Sequence, residues 1–175
     1  MRKAIFFAIL LLASAFLLAQ EGVVVKDVTP FWYASMDFQG PFEQIPVKVG
    51  LFMQEFMKQK LPFGGNLFGI YFNSPEQVKP EELKWAIGIP VLKDSIVNAP
   101  LKKTEFLFKT IAVALHLGPY ETTGKTYDKI FAYIDKNGYK VAGPVFESYI
   151  DRDPSKVKPE ELRTEIWVPV QKKAK

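Results

Sequence analysis

The chain has 175 residues, 48% hydrophobic and 14% aromatic, with 13 prolines, 11 glycines and no cysteine. That suits one globular domain with a packed core rather than a disordered chain, and it excludes disulfides, thiol chemistry and a lipidated cysteine anchor. The formal net charge is +4, or +2 without Arg2 and Lys3, too small for a nucleic-acid-binding surface.

In chain order, Met1-Arg2-Lys3 is a basic start, followed by the 15 residues Ala4–Leu18, uncharged and apolar except for Ser14. A spanning helix needs about 20 such residues. Residues 1–19 therefore read as a secretory leader, cleaved near Ala19, with Ala13-Ser14-Ala15 as the other small-residue site. The protein is expected to be periplasmic or extracellular, touching a membrane only during export or through an uncleaved leader. No nucleic-acid partner is expected.

Residues 20–175 read as one domain carrying an internal repeat. Lys79-Pro80-Glu81-Glu82-Leu83 recurs as Lys158-Pro159-Glu160-Glu161-Leu162, and Gly40-Pro41-Phe42-Glu43 recurs as Gly118-Pro119-Tyr120-Glu121, with one residue inserted near Asp151 to Asp153. The copies run over about 24–91 and 104–170. Each opens with a strand candidate, Phe31–Phe38 or Phe108–Leu117, closed by a Gly-Pro turn. Next come the apolar stripes Val49, Phe52, Met53, Phe56 and Tyr127, Ile130, Phe131, Ile134, spaced i, i+3, i+4, i+7, which predict two amphipathic helices buried on a sheet. The first should end near Lys60-Leu61-Pro62 and the second near Asn137-Gly138. Two further strands follow each helix, Leu67–Phe72 with Lys84–Ile89 and Val145–Ile150 with Arg163–Val168. The segment from Val91 to Lys103 is expected to link the copies. The expected fold is α+β: duplicated β-α-β-β units forming a mostly antiparallel sheet with two helices, and a ligand cleft between the halves.

Four blocks in the second half carry a resemblance: His116 to Glu121, Asn137-Gly138-Tyr139, Ala142 to Tyr149, and Pro159 to Val170. The first half adds Tyr71, Trp85 and Pro90. In their order and spacing these resemble the GyrI-like family of small-molecule-binding domains, which includes the effector-binding domains of AraC- and MerR-type multidrug regulators. The resemblance implies a cleft suited to lipophilic cations, with an acid on the last strand facing the ligand, a position Glu165 matches. In some relatives the corresponding glutamate hydrolyses strained electrophiles. Here a leader stands at the N-terminus, where regulators carry a DNA-binding domain.

On the last strand, alternation puts Arg163, Glu165 and Trp167 on one face. Their counterparts in the first copy include Ala86 for Glu165 and Gly88 for Trp167, which leaves room beside an acid. Tyr71 and Tyr149 occupy matched positions, and Glu147 shares a strand face with Tyr149. The expected ligand contacts are thus Glu165, Trp167, Tyr149, Tyr71, Glu147 and Trp85, although Trp85, with Trp32, Tyr33, Phe52 and Tyr127, also fits simple packing. His116 is the only histidine, so a multi-histidine metal site is excluded and any Ser-His-Asp triad would rest on it alone. No cofactor motif is present. The reading is an exported binding protein for a hydrophobic small molecule, cations included. Its rivals are a hydrolase using Glu165 as its catalytic residue and an envelope protein-interaction module.

Overall fold

The computed structural model describes residues 22–174. The leader lies outside these residues. Among the described residues, nine strands and two α-helices run in the order β1 (Val24–Asp27), β2 (Phe31–Gln39), α1 (Ile45–Lys58), β3 (Phe68–Tyr71), β4 (Lys84–Val91), β5 (Lys102–Phe106), β6 (Thr110–Leu117), α2 (Gly124–Lys136), β7 (Tyr139–Val141), β8 (Val145–Tyr149) and β9 (Arg163–Lys172). The order across the sheet is β1-β6-β9-β8-β3-β4-β2-β5, with β7 beside the end of β9, and every ladder is antiparallel. No helix among the described residues is long and apolar enough to cross a membrane.

The two β-α-β-β units are β2-α1-β3-β4 and β6-α2-β8-β9, meeting at the β3–β8 ladder, where Gly69 stands opposite Glu147. Because Gly69 and Glu147 are also repeat counterparts, a pseudo-two-fold axis passes through that pair. Glycines set the turns around the helices. Gly138 takes a φ of 70° after α2. Gly40 and Gly118, with φ of 127° and 128°, turn the chain out of β2 and β6, a region that disfavours other residues.

The segment expected to be a linker behaves otherwise. Val91 closes β4 and Lys102 opens β5, an edge strand on β2, while the second unit's first strand starts at Thr110. β1 is the matching edge strand on β6. Val24 pairs with Val113 and Lys102 with Ser35, the same ladder displaced by one repeat at both partners. Each unit therefore gives the strand that precedes it to the other unit. In a flat sheet the six steps from β1 to β2 would span about 29 Å at ~4.8 Å per strand. The connection Val28–Pro30 reaches only about 14 Å. The sheet must curl until its two ends approach.

The core is layered accordingly. Inside the curl, Tyr33, Phe68, Ile70, Ala86, Phe106, Ile111, Val113 and Phe146 pack together across the two halves. Outside it, Phe52 and Phe56 of α1 cover β2 and β4, and Ile130 and Ile134 of α2 cover β6 and β9. The helical stripes are not buried uniformly: Phe131 stays 41% exposed, stacked on Tyr127 at the flank of α2.

Candidate functional site

A sheet that curls away from its helices spreads them apart, so α1 packs on β2 and β4, α2 on β6, β7 and β9, and the central β3–β8 pair is left to side chains. Alternation turns Tyr71, Glu147 and Tyr149 to that outer face. The two repeat-related tyrosines meet on the pseudo-two-fold axis with their hydroxyls 2.9 Å apart. Phe42 sets its edge against Tyr71 and Tyr120 against Tyr149, each pair of centroids 5.3 Å apart. Phe42 and Tyr120 are themselves counterparts, so the box is symmetric in its walls.

Its floor is not symmetric. Glu147 is 6% exposed. Tyr127 donates to its Oε1 at 2.7 Å, and Tyr71 and Tyr149 both lie 3.2 Å from its Oε2. Three hydroxyls carry three protons and the bond between Tyr71 and Tyr149 uses one, so an ionised Glu147 receives two. Burial raises its pKa above the ordinary glutamate value, and the tyrosine bonds and the nearby His116 pull it partly back. Tyr127, Tyr71 and Tyr149 are pushed upward, first by their own desolvation and then by the charges around them, Glu147 among them, and stay protonated donors. On the other copy there is only Gly69, where a Cβ would lie 2.9 Å from the hydroxyls of both Tyr71 and Tyr149. One carboxylate fits on the axis, and the tyrosine tips occupy the place of a second.

The second half places His116 and Thr164 near this acid where the first half has the aromatic rings of Phe38 and Trp85. His116 Nδ1 lies 3.0 Å from the Thr126 hydroxyl, and its Nε2 lies 3.1 Å from both Pro119 O and Thr122 Oγ1. Pro119 O accepts from Thr122 Oγ1 at 2.7 Å and also from His116 when the ring proton sits on Nε2. Thr164, between His116 and Tyr149 in the sheet register, is fully buried and its hydroxyl has no protein partner. Its counterpart Trp85 donates instead from Nε1 to Gly40 O at 3.0 Å and packs on Phe38.

The six residues expected in one cleft are therefore divided. Tyr71, Tyr149 and Glu147 come together. Trp85 is buried beneath α1 as core, bordering a separate cavity of about 340 Å³ with Asp37, Phe38, Gln39, Phe72 and Lys84. Glu165 stands opposite Ser148, not Glu147, so it and Trp167 face the inside of the curl. There Trp167 Nε1 donates to Glu165 Oε2 at 2.8 Å, its ring meets Phe106 edge-on, and Lys26 lies over it at 5.7 Å. The placement of Glu165 and Trp167 with the tyrosines is thus corrected by the strand register. The sequence reading missed Phe42 and Tyr120, which follow the two Gly-Pro turns at matched positions. It assigned Tyr127 to packing, though a tyrosine where the other copy has Val49 adds a polar tip to an apolar stripe. Among the described residues, no cluster of three or more His, Asp or Glu could hold a metal ion.

A family model described as GyrI-like small molecule binding domain matches residues 23–171. Among solved structures, the EcmrR C-terminal domain superposes with a TM-score of 0.74 at 23% identity, over 86% of this chain and 97% of that one. EcmrR in a complex with DNA gives the same score and identity over 87% of this chain, which spans only 57% of the EcmrR chain there. SAV2435 bound to tetraphenylphosphonium superposes with a TM-score of 0.55 at 18% identity, over 85% of this chain and 93% of that one. These identities establish a shared fold. Comparison with curated proteins gave no match.

Proposed function

The chain belongs to the GyrI-like small molecule binding domain family, and we propose that it captures hydrophobic cations outside the cytoplasm, at the outer face of the β3–β8 pair. One observation carries this reading: a single buried carboxylate, Glu147, walled by Tyr71, Tyr120, Tyr127, Tyr149 and Phe42. Aromatic faces attract a cation through their quadrupoles, and desolvation strengthens that attraction. A buried carboxylate is costly without a partner, so a cation that displaces the tyrosine hydroxyls gives Glu147 a full counter-charge in place of partial ones. Tetraphenylphosphonium in SAV2435 is a ligand of this type on a related fold. The setting outside the cytoplasm rests on the basic start and the uncharged run of residues 4–18.

The test is calorimetric titration with tetraphenylphosphonium and with neutral triphenylphosphine oxide. Glu147→Gln keeps the shape and removes the charge. It should weaken the cation roughly ten- to hundredfold, from the ~1.5–3 kcal/mol of a charged hydrogen bond, and leave the neutral compound nearly unchanged. Glu165→Gln, inside the curl, should affect neither. If Glu165→Gln rather than Glu147→Gln abolishes selectivity, the site lies on the other face. Intact mass of the protein recovered from the cell envelope tests the export reading, which requires loss of residues 1–19 or a nearby cut.

A further inference from the structure

The outward face of α1 carries a stripe that its twin does not. Val47, Gly50, Leu51 and Gln54, at i, i+3, i+4 and i+7, are exposed, followed by Met57. Val47 is 75%, Leu51 42% and Met57 57% exposed. At the matching positions α2 has Lys125 for Val47, Asp128 for Gly50, Lys129 for Leu51 and Asp135 for Met57, an ordinary solvated face. Lys48 and Glu55 occupy one flank of α1, and the rest of its circumference is uncharged up to Lys58. α1 already buries Phe52 and Phe56 against the sheet, so its other side is built to be covered as well.

We propose that this stripe is a two-fold contact with a second copy of the chain, α1 lying antiparallel to α1. The charge pattern selects that occupant. Glu43, exposed in the short turn leading into α1, and Lys58, at its last turn and 3.4 Å from Glu55, lie at opposite ends of an uncharged stripe. Centred between Gly50 and Leu51, an antiparallel pair sets each Lys58 against Glu43 of the second copy. It also sets each Leu51 against Gly50 of the second copy, where no atom lies within 4 Å of an added Cβ. The stripe is thus complementary to itself in shape and in charge. An anionic bilayer would favour basic residues at both ends, and Glu43 opposes that. Neither Tyr71 nor Glu147 belongs to the stripe.

The test is sedimentation equilibrium of the purified protein with whatever N-terminus the cell leaves on it. A monomer–dimer equilibrium is expected. Leu51→Lys, which copies Lys129 of the second half, should weaken it by at least about tenfold, with an unchanged circular dichroism spectrum and, at dilutions where both proteins are monomeric, an unchanged melting curve. Glu43→Lys alone should weaken it, and Glu43→Lys with Lys58→Glu should restore it, since only an antiparallel two-fold contact exchanges both charges at once. The chain has no cysteine, so Gly50→Cys supplies a lone thiol that should form a disulfide-linked dimer on mild oxidation. A monomer at all concentrations overturns the proposal, whether or not it binds phosphatidylglycerol vesicles, and so does a dimer indifferent to these substitutions.

Discussion

The two halves share a backbone and differ in what they place on it. Beneath α1 the first half has Trp85 and Phe38, with indole and phenyl rings filling the space and Lys48 of the helix over the Phe38 ring. At the same positions the second half has Thr164, His116 and Thr126, a small hydroxyl and a hydrogen-bonded ring. At the axis the first half offers Gly69 and the second Glu147. The difference is a division of labour. One copy supplies an apolar buttress and a bare backbone, and the other supplies the acid and the polar groups around it. A charge in the middle of a two-fold arrangement is tolerable because only one copy contributes it.

Making the halves alike at the axis should break the molecule. Gly69→Glu sets a second carboxylate against Glu147 and drives a side chain into Tyr71 and Tyr149. The cost should be roughly 4–8 kcal/mol, combining an uncompensated buried charge with overpacking, and chemical denaturation should find little or no folded protein. Copying the second half's solution beneath α1 should cost less. Trp85→Thr empties a fully buried indole site and leaves Gly40 O without its donor, for roughly 3–5 kcal/mol by the same measurement.

The Glu147 floor predicts a pH dependence of definite sign. Its pKa is raised in the folded state, so the fold binds this proton more tightly than the unfolded chain does, and stability is lost as pH rises from the ordinary glutamate range through the raised value. Glu147→Gln removes that loss. The variant should melt above the wild type at neutral pH, and the gap should close as pH falls below the ordinary range of a glutamate. A gap that widens in acid would show that the tyrosines over-compensate the burial.

A smaller effect separates Thr164 from its surroundings. Thr164→Val keeps the shape and deletes a buried hydroxyl that has no protein partner, so stability should rise by about 1 kcal/mol. A loss would mean that the hydroxyl holds an ordered water beside His116. The mildest exchange is Val47→Lys, which copies Lys125 at an exposed position. At dilutions where the chain is monomeric it should leave the melting curve within about 0.5 kcal/mol of wild type.

Much of this asymmetry is legible in the order of the residues. The repeat, anchored on its paired Gly-Pro turns and its paired Lys-Pro-Glu-Glu-Leu segments, locates both helices and the strands of each unit, because turn glycines, prolines and apolar stripes are local signals. β1 and β5 escape such reading. Lys102-Lys103-Thr104-Glu105 has the charge of a loop, and its strand character comes from lending backbone bonds to an edge far away in sequence. The site divides on the same principle. Alternation shows that Glu147 and Tyr149 share a face, and that Glu165 and Trp167 share one. Whether those faces coincide depends on the register between β8 and β9, where Ser148 rather than Glu147 stands opposite Glu165. Neither strand encodes that alone.

The exchange of β1 and β5 also bears on ancestry. A single unit that gives its leading strand to a twin and receives the twin's in return is a symmetric homodimer, and the short stretch Leu107–Lys109 suffices to join β5 to the next unit. In such a dimer one gene writes both sides of the axis, so the centre holds two acids or none. Only when both units share one chain can the two sides of the axis differ, so a lone carboxylate there requires the units to be joined.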